Sequence, residues 1–447
     1  MRTIIVGAGE VGFHIAERLC RERHDVVVIE RDPAARDRVQ GTLDVLTLEG
    51  NGCSPSVLEE AGVKNADMLI AVADIDEVNI TACILAKEYG VPRRIARVKN
   101  PDFSESPFLD HGRRLGIDLL INPDLVVADE ILTLIKTPAA AEVGKFAEGR
   151  VLMLGIQING RAPILDRPLR NFRPFQTTTP FIVVAVYRRG QLLIPDGATV
   201  LDEGDHLYFV SRRESINDIL TLLGKKESIV NKVLLVGGGR LGFRVAQLLE
   251  QGGFTTKLME RRPARCEELS HLLEHTLVLH ADGTDISALL VEGISGMDAV
   301  VTVTDDEATN ILAALVAKEN GAKKAIALIK RPHLLQLLPH LGIDAAISPR
   351  ISTANVILKY VRKGKIVSIF EIPESDAETL ELIVSANARV AGKPIREVGL
   401  PAGAIIGAIV HREEILIPKG DTVLHPDDRV VIFALPAAIP AIERLFS

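Results

Sequence analysis

The sequence predicts an α/β protein: two doubly wound parallel-sheet domains of the Rossmann type, each followed by a small α+β module. Three observations carry that expectation. The stretches VGAGEVG (6–12) and VGGGRLG (236–242) each follow a short apolar run and open a helical pattern, the context that lifts G-x-G-x-x-G above a chance match. Short β-branched runs alternate with helical stretches, the β-α-β-α order of a parallel sheet with right-handed crossovers. The second half of the chain then repeats the first.

The repeat has a definite register. Setting Gly237, Gly239 and Gly242 over Gly7, Gly9 and Gly12 gives an offset of 230 (237 − 7), and the same offset puts Glu260 on Glu30 and Pro263 on Pro33. With one residue more, Gly52 meets Gly283, Gly62 meets Gly293, Asp67 meets Asp298, Asp74 meets Asp305 and Asn79 meets Asn310. LGID at 115–118 then matches LGID at 341–344, and LLIPDGATVLDEGDHLYF (192–209) answers EILIPKGDTVLHPDDRVVIF, with Pro195 on Pro418, Gly197 on Gly420 and Asp205 on Asp428. The order is A-B-A-B, with expected domains at 1–136, 137–226, 230–358 and 359–447. Each unit is long enough to bury its own core, so this is a duplication and not a solenoid.

Within the first A unit, residues 3–6, 26–30, 45–48, 68–72 and 95–98 are apolar on both faces, as buried parallel strands are. Residues 11–20 and 78–89 read as helices between them, and 125–136 and 351–362 as amphipathic helices leaving each sheet for the next unit. Each B unit is a run of shorter β-type segments, such as 181–187 and 404–410, punctuated by RRG, PDG and PKG turns.

Composition excludes several classes. A net charge of −7 with no long basic run gives no footprint for nucleic acid. Aromatics reach only 4% and Trp is absent, so the cores are aliphatic. Cys20, Cys53, Cys83 and Cys266 lack CxxC spacing and a histidine cluster, which argues against zinc and a disulfide framework. The N-terminus enters a strand directly without a secretory signal, and no apolar run approaches the ~20 residues that span a bilayer. A membrane would be met through a partner.

In the first glycine turn, Gly7 permits the tight bend, Gly9 removes a side chain where a pyrophosphate approaches, and Gly12 lets helix and strand pack closely. Backbone N–H groups near Glu10 and Val11 face the phosphates with the helix dipole behind them. Glu30, ending the second strand, is placed to accept from the adenosine ribose hydroxyls, and its carboxylate repels a 2′-phosphate. Glu260 stands identically in the copy, where Arg262 replaces Asp32 and makes the rim more positive, suiting a different or phosphorylated nucleotide. Asn51 and Asp282 follow the third strand of each unit and could bond an adenine edge; the plainer reading is a helix N-cap. Ala73-Asp74 and Thr304-Asp305 line the same crevice beyond the fourth strand. Arg97, ending the fifth, could reach phosphate in a neighbouring fold, which its counterpart Leu328 cannot.

No group suited to chemistry accompanies these clefts. His14, His24, His111, His206, His411 and His425 recur at no matching positions between repeats, and there is no GxSxG, HExxH or P-loop. Two sites built to bind, with no catalytic residue and no metal ligand set, suggest sensing and not an enzyme. The alternatives are a bifunctional NAD-dependent oxidoreductase, which would turn over its nicotinamide, and a scaffold with degenerate sites.

The combination resembles a known family: the peripheral NAD-binding subunits of Trk potassium-uptake systems, built from RCK (KTN) N-terminal and C-terminal domains in the order N-C-N-C. The resemblance covers nearly all of residues 1–447 and rests on VGAGEVG, VVVIERDP, EGNG, ADMLIAVADIDEVN, RIARVKNP and the repeated IP-x-G-x-T-V-L-x-x-x-D. It implies a cytoplasmic ring, a homo-oligomer and by resemblance a tetramer, docked peripherally on the inner face of the cell membrane. There it would gate a potassium-translocating Trk membrane subunit when NAD(H), or alternatively ATP or ADP, binds. Gly7, Ala8, Gly9, Glu10, Val11, Glu30, Ala73, Asp74 and Arg97 match the family's NAD-contacting motif in the first half. Gly237, Gly238, Gly239, Arg240, Leu241 and Glu260 match it in the second. The chain departs from that pattern at Ala73-Asp74, which lacks a hydroxyl pair, at Gly50-Asn51, and at Leu328. For the self-association such a ring needs, 126–134 and 356–360 offer apolar helix faces, which could equally pack within one chain.

Overall fold

The computed structural model describes the whole chain except residues 105–113, 161, 173–178, 226–228, 332–333, 336, 362–365, 373–374, 376 and 447. The chain divides into two compact units, one of Met1–Asp129 with Ser348–Val361, the other of Glu130–Ile347 with Arg362–Ser447.

In the first unit, β1 (Arg2–Val6), β2 (Asp25–Glu30), β3 (Leu46–Glu49), β4 (Met68–Ala71), β5 (Arg93–Arg97) and β6 (Leu119–Ile121) form a six-stranded sheet in the order β3-β2-β1-β4-β5-β6. Every pairing is parallel. The strands expected at 3–6, 26–30, 45–48, 68–72 and 95–98 are all present, displaced by no more than two residues at an end. The sixth was missed because three residues carry no periodicity. Burial accounts for the apolar residues on both faces: Ile4, Ile5, Leu69, Ile70 and Ala96 have no exposed surface. Strand order reverses between β1 and β4, so the glycine turn after β1 and the Ala73 turn after β4 open onto one crevice, where such folds bind ligands.

The helices expected at 11–20 and 78–89 span Glu10–Arg21 and Asp76–Glu88. The one expected at 351–362 spans Pro349–Val361 and packs against Glu10–Arg21 within this unit; position 362 lies outside the described residues. Arg93 at the start of β5 donates from Nη1 to Val361 O at 2.8 Å, closing the C-terminal end of that helix. Ile357 and Leu358 are therefore buried inside the chain, not displayed for a second copy. The helix expected at 125–136 spans Pro123–Lys136, and Val127, Ile131 and Leu134 on its apolar face are likewise buried.

The second unit holds a five-stranded antiparallel sheet of β7 (Glu142–Phe146), β8 (Val151–Gln157), β9 (Phe181–Arg188), β10 (Gln191–Leu193) and β11 (His206–Arg212), ordered β10-β9-β11-β8-β7. It also holds the second parallel sheet, β12 (Lys232–Val236), β13 (Thr255–Glu260), β14 (Leu277–His280), β15 (Ala299–Thr302), β16 (Lys324–Leu328) and β17 (Ala345–Ile347), in the same order as the first. A second antiparallel sheet follows, with β18 (Ile366–Glu371), β19 (Glu378–Ile383), β20 (Ala404–His411), β21 (Glu414–Leu416) and β22 (Arg429–Ala434) ordered β18-β19-β22-β20-β21.

The two antiparallel modules share one core, in which Phe146, Met153, Val184 and Val210 of the first meet Ala408, Val410, Val431 and Phe433 of the second. Polar pins cross it. Ala147 N donates to Glu381 Oε2 at 3.2 Å, and Arg429 bonds both Glu381 and Glu148. Ala147 and Glu148 take φ of 49° and 58°, unusual for residues with a Cβ, in the turn that presents those groups.

At matching positions each module sets an arginine–acid pair beside a histidine–acid pair, with the base types exchanged. Arg188 forks onto buried Asp205 while His206 meets Glu142 at 2.7 Å; His411 meets buried Asp428 at 2.6 Å while Arg429 meets Glu381. Lys324, at the start of β16, is nearly fully buried and donates from Nζ to Leu134 O, Thr137 O and Ala140 O. Burial pushes its ammonium down to about 7, although Asp344 and Glu142 act the other way.

Candidate nucleotide-binding clefts

The two glycine turns are superimposable in their constraints. Gly7 has φ +101°, and a Cβ there would lie 2.7 Å from Ala73 N; Gly237 has φ +110°, with Thr304 N at 2.9 Å. A Cβ on Gly12 would fall 1.9 Å from Gly7 O, and one on Gly242 the same distance from Gly237 O. Gly9 and Gly239 differ in kind. Both have ordinary extended backbone, and a Cβ on either meets nothing within 4 Å. Nothing in the chain itself demands glycine there. Open space at the N-terminal end of a helix is what a phosphate group requires. Val11 and Leu241 bury their side chains beneath the helix and can offer only backbone. Ala8 is fully buried, while a methyl on Gly238 would collide with Leu269.

Each acid is already engaged by its own turn. Glu30 Oε1 accepts from Arg31 N and Asp32 N at 2.8 and 2.9 Å, and Oε2 from Ala8 N at 2.5 Å. Of about four acceptor positions on a carboxylate, three are used, leaving one on Oε2 for a ribose hydroxyl. Glu260 repeats this with Gly238 N and Arg262 N at 2.9 Å, but its third donor is Arg262 Nε at 3.0 Å. Desolvation raises the Glu260 carboxyl, and the Arg262 side chain and the two amides overcome it, holding it below the usual range. Arg262 thus neutralises Glu260 as well as making the rim more basic, while Asp32 caps the next helix through Ala34 N at 3.0 Å.

Asn51 and Asp282 are not the N-caps that the plainer reading expects. Asn51 Oδ1 accepts from Cys53 N, and Asp282 Oδ1 from Thr284 N and Oγ1, so each closes a turn one step before the helix; the N-cap positions are Ser54 and Asp285. The Gly52 and Gly283 that follow press on β1 and β12, where a Cβ would lie 2.1 and 2.2 Å from Val6 and Val236 Cγ1.

At the far rim, the Arg97 guanidinium bonds groups of its own fold. Nη2 donates to Ala73 O at 3.0 Å and Asp74 Oδ1 at 2.8 Å, while Nε is buried without a partner. Desolvation raises the Asp74 carboxyl, but Arg97, Lys99 and Arg31 hold it low. In the copy, Leu328 is buried and Thr304 Oγ1 bonds Asn310 Oδ1 at 2.7 Å. His14 and His24 stand outside the clefts, on and just after the helix Glu10–Arg21; His206, His411 and His425 belong to the antiparallel modules, and His111 lies outside the described residues.

Two sets of residues were missed from sequence. Buried Asn79 bonds Ala73 N, Ala73 O and Arg97 O, all at 2.8 Å, and Asn310 does the same for Thr304 and Leu328 O. An amide retained in both copies on an otherwise apolar helix face was the available signal. Arg38 bonds Ala8 O at 3.1 Å and Glu10 Oε1 at 2.8 Å, and Arg350 Nη1 donates to Glu10 Oε2 at 2.8 Å. Desolvation raises the Glu10 carboxyl, and these two arginines bring it below its ordinary value. Among the described residues there is no group of three or more His, Cys, Asp or Glu that could hold a metal, and no helix long and apolar enough to cross a membrane.

Paired Rossmann clefts with open phosphate cradles, alternating with antiparallel modules that share a core, define a tandem nucleotide-binding regulatory protein. The TrkA-N domain matches residues 3–123 and 233–349, and the TrkA-C domain 156–225 and 379–447. Trk system potassium uptake protein TrkA homolog 1 of Methanosarcina mazei is 38% identical, with all of both chains covered. Trk system potassium uptake protein TrkA of Halomonas elongata is 36% identical across all of this chain and 98% of its own. The chain belongs to the TrkA family. In fold it is similar to the GsuK channel bound to NAD, with a TM-score of 0.61 and 19% identity over all of this chain and 78% of that one. It is equally similar to the GsuK RCK domain, with a TM-score of 0.61 over 94% of that chain.

Proposed function

We propose that the chain is the regulatory nucleotide-binding subunit of a Trk-type potassium-uptake system. On this reading it is peripheral on the cytoplasmic face and assembles as a homo-oligomeric ring on a potassium-translocating membrane subunit. NAD(H) is the ligand we assign, with ATP and ADP as competitors. Its domains fall at 1–136, 137–226, 230–358 and 359–447.

The observation that carries the proposal is the pair of open glycines, Gly9 and Gly239, at matching cradles in a full-length member of the TrkA family. The residues fit a dinucleotide: Gly7 to Gly12 for the pyrophosphate, Glu30 for the ribose, Asn51 for the base edge and the rim of Ala73, Asp74 and Arg97. In the second cleft the corresponding set is Gly237 to Gly242, Glu260 and Asp282. The nucleotide acts as an effector: it favours one state of the cleft, and that differential affinity shifts the membrane partner. A coupling of about 1 to 3 kcal/mol is ordinary for such a switch.

The test is potassium flux through the reconstituted membrane subunit as nucleotide is titrated. An unchanged flux overturns the proposal. Substrate-dependent change of the reduced nicotinamide's absorbance, across a metabolite panel, would instead establish an oxidoreductase.

A further inference from the structure

We propose that Arg350 couples the first nucleotide cleft to the helix Pro349–Val361, through its ion pair with Glu10, so that a bound phosphate tightens the seat of that helix. The inference rests on the nucleotide reading above and assigns the first cleft its means of regulation.

Glu10 is the first residue of the helix that begins at the open Gly9, so its backbone lies where phosphates are expected and its carboxylate beside them. Two cations converge on that carboxylate from different elements. Arg38 comes from the helix Pro33–Thr42 of the same sheet. Arg350 comes from a position 340 residues away in sequence, at the second residue of the helix that leaves β17 for the last module.

The Arg350 side chain is only 16% exposed, and its Nε is buried with no hydrogen-bond partner. Its guanidinium therefore has donor capacity beyond the single bond to Glu10. A phosphate at the cradle adds negative charge next to Glu10, which strengthens the hold on Arg350 and hence on the helix carrying it. At the other end of that helix Val361 O is fixed by Arg93, so the response is a tightening between two anchored ends.

The repeat supplies an internal control. Setting LGID at 341–344 on LGID at 115–118 gives an offset of 226 and puts Arg350 on Asp124, while Glu10 falls on Arg240. The duplication has thus exchanged the signs of the residues at both positions.

The experiment is hydrogen exchange of the full chain with and without NADH. Residues 6–21 report occupancy of the first cleft, and residues 349–361 report the response. In the wild type both segments should slow. In R350Q the response at 349–361 should vanish, and by reciprocity affinity for NADH at the first cleft should fall about five- to tenfold.

The double variant E10R/R350D should reverse the sign, because phosphate would then draw the introduced guanidinium away from its new carboxylate partner and exchange at 349–361 would quicken. If R350Q fails to fold, E10Q tests the same loss. Slowing at 6–21 with 349–361 unchanged in the wild type overturns this inference alone. So does a wild-type response in R350Q or E10Q, or a sign that the double variant leaves unreversed. No protection at either glycine turn overturns the nucleotide reading as well.

Discussion

Gly9→Ala separates a ligand glycine from a packing glycine, because the two kinds stand three residues apart in one turn. At Gly9 the backbone is extended and a Cβ has no neighbour within 4 Å, so alanine should be accommodated. Two small terms oppose each other. Alanine restricts the unfolded chain, worth about 0.4 to 1 kcal/mol in favour of folding, while its poorer N-cap preference costs a similar amount. Net stability should move by less than about 1 kcal/mol.

Binding should not be spared. The methyl occupies the approach to the first-turn amides, and each charge-assisted hydrogen bond lost is worth about 1.5 to 3 kcal/mol, roughly ten- to a hundredfold in affinity. The assay is NADH titration by calorimetry alongside urea unfolding, with G239A as the second-cleft equivalent and G12A as the contrast. G12A forces a Cβ to within 1.9 Å of Gly7 O and should destabilise the fold outright. Wild-type NADH affinity at both clefts in the G9A/G239A double variant would refute the assignment of these turns as phosphate cradles.

Asn79→Ala removes the side-chain bonds to Ala73 N, Ala73 O and buried Arg97 O, leaving Ala73 O its bond from Arg97, and should cost about 2 to 4 kcal/mol in urea unfolding, with NADH binding weakened at the first cleft only. Asp298, bonded by Lys323 Nζ, Asn231 N and Lys232 N, is held at about 2 against burial that would raise it. A depressed carboxyl stabilises the fold above its unfolded value near 3.8 and loses that contribution as pH falls toward 2. D298N should therefore be less stable than wild type by about 1 to 2 kcal/mol at pH 7, and the gap should close by about pH 2 in acid unfolding series. Lys324 titrates near 7 when folded and about 10.4 when unfolded, so the unfolded chain binds more protons between those values. Stability should rise by about 2 kcal/mol from about pH 7 to 9 in the wild type, and K324M should lack that slope in denaturant titrations.

What the sequence determined by itself is everything governed by short-range constraint. Strands β1, β2 and β4 announced themselves because burial on both faces requires unbroken aliphatic runs, and the glycine turns because a positive φ at Gly7 and Gly237 admits little else. The duplication doubled each signal. It also exposed asymmetries that local chemistry could show, Asp32 against Arg262 and Arg97 against Leu328.

Only the tertiary structure decided where polar side chains direct their hydrogen bonds. Glu30 and Glu260 look in sequence like free ribose acceptors, yet each is largely satisfied by backbone amides of its own turn. Asn51 and Asp282 could have capped helices, and they close turns one step earlier. Arg350 is one more basic residue on a helix until folding sets it against Glu10. A linear pattern records which face of an element is apolar. It does not record which distant element delivers a charge, because that depends on how two separately formed helices meet.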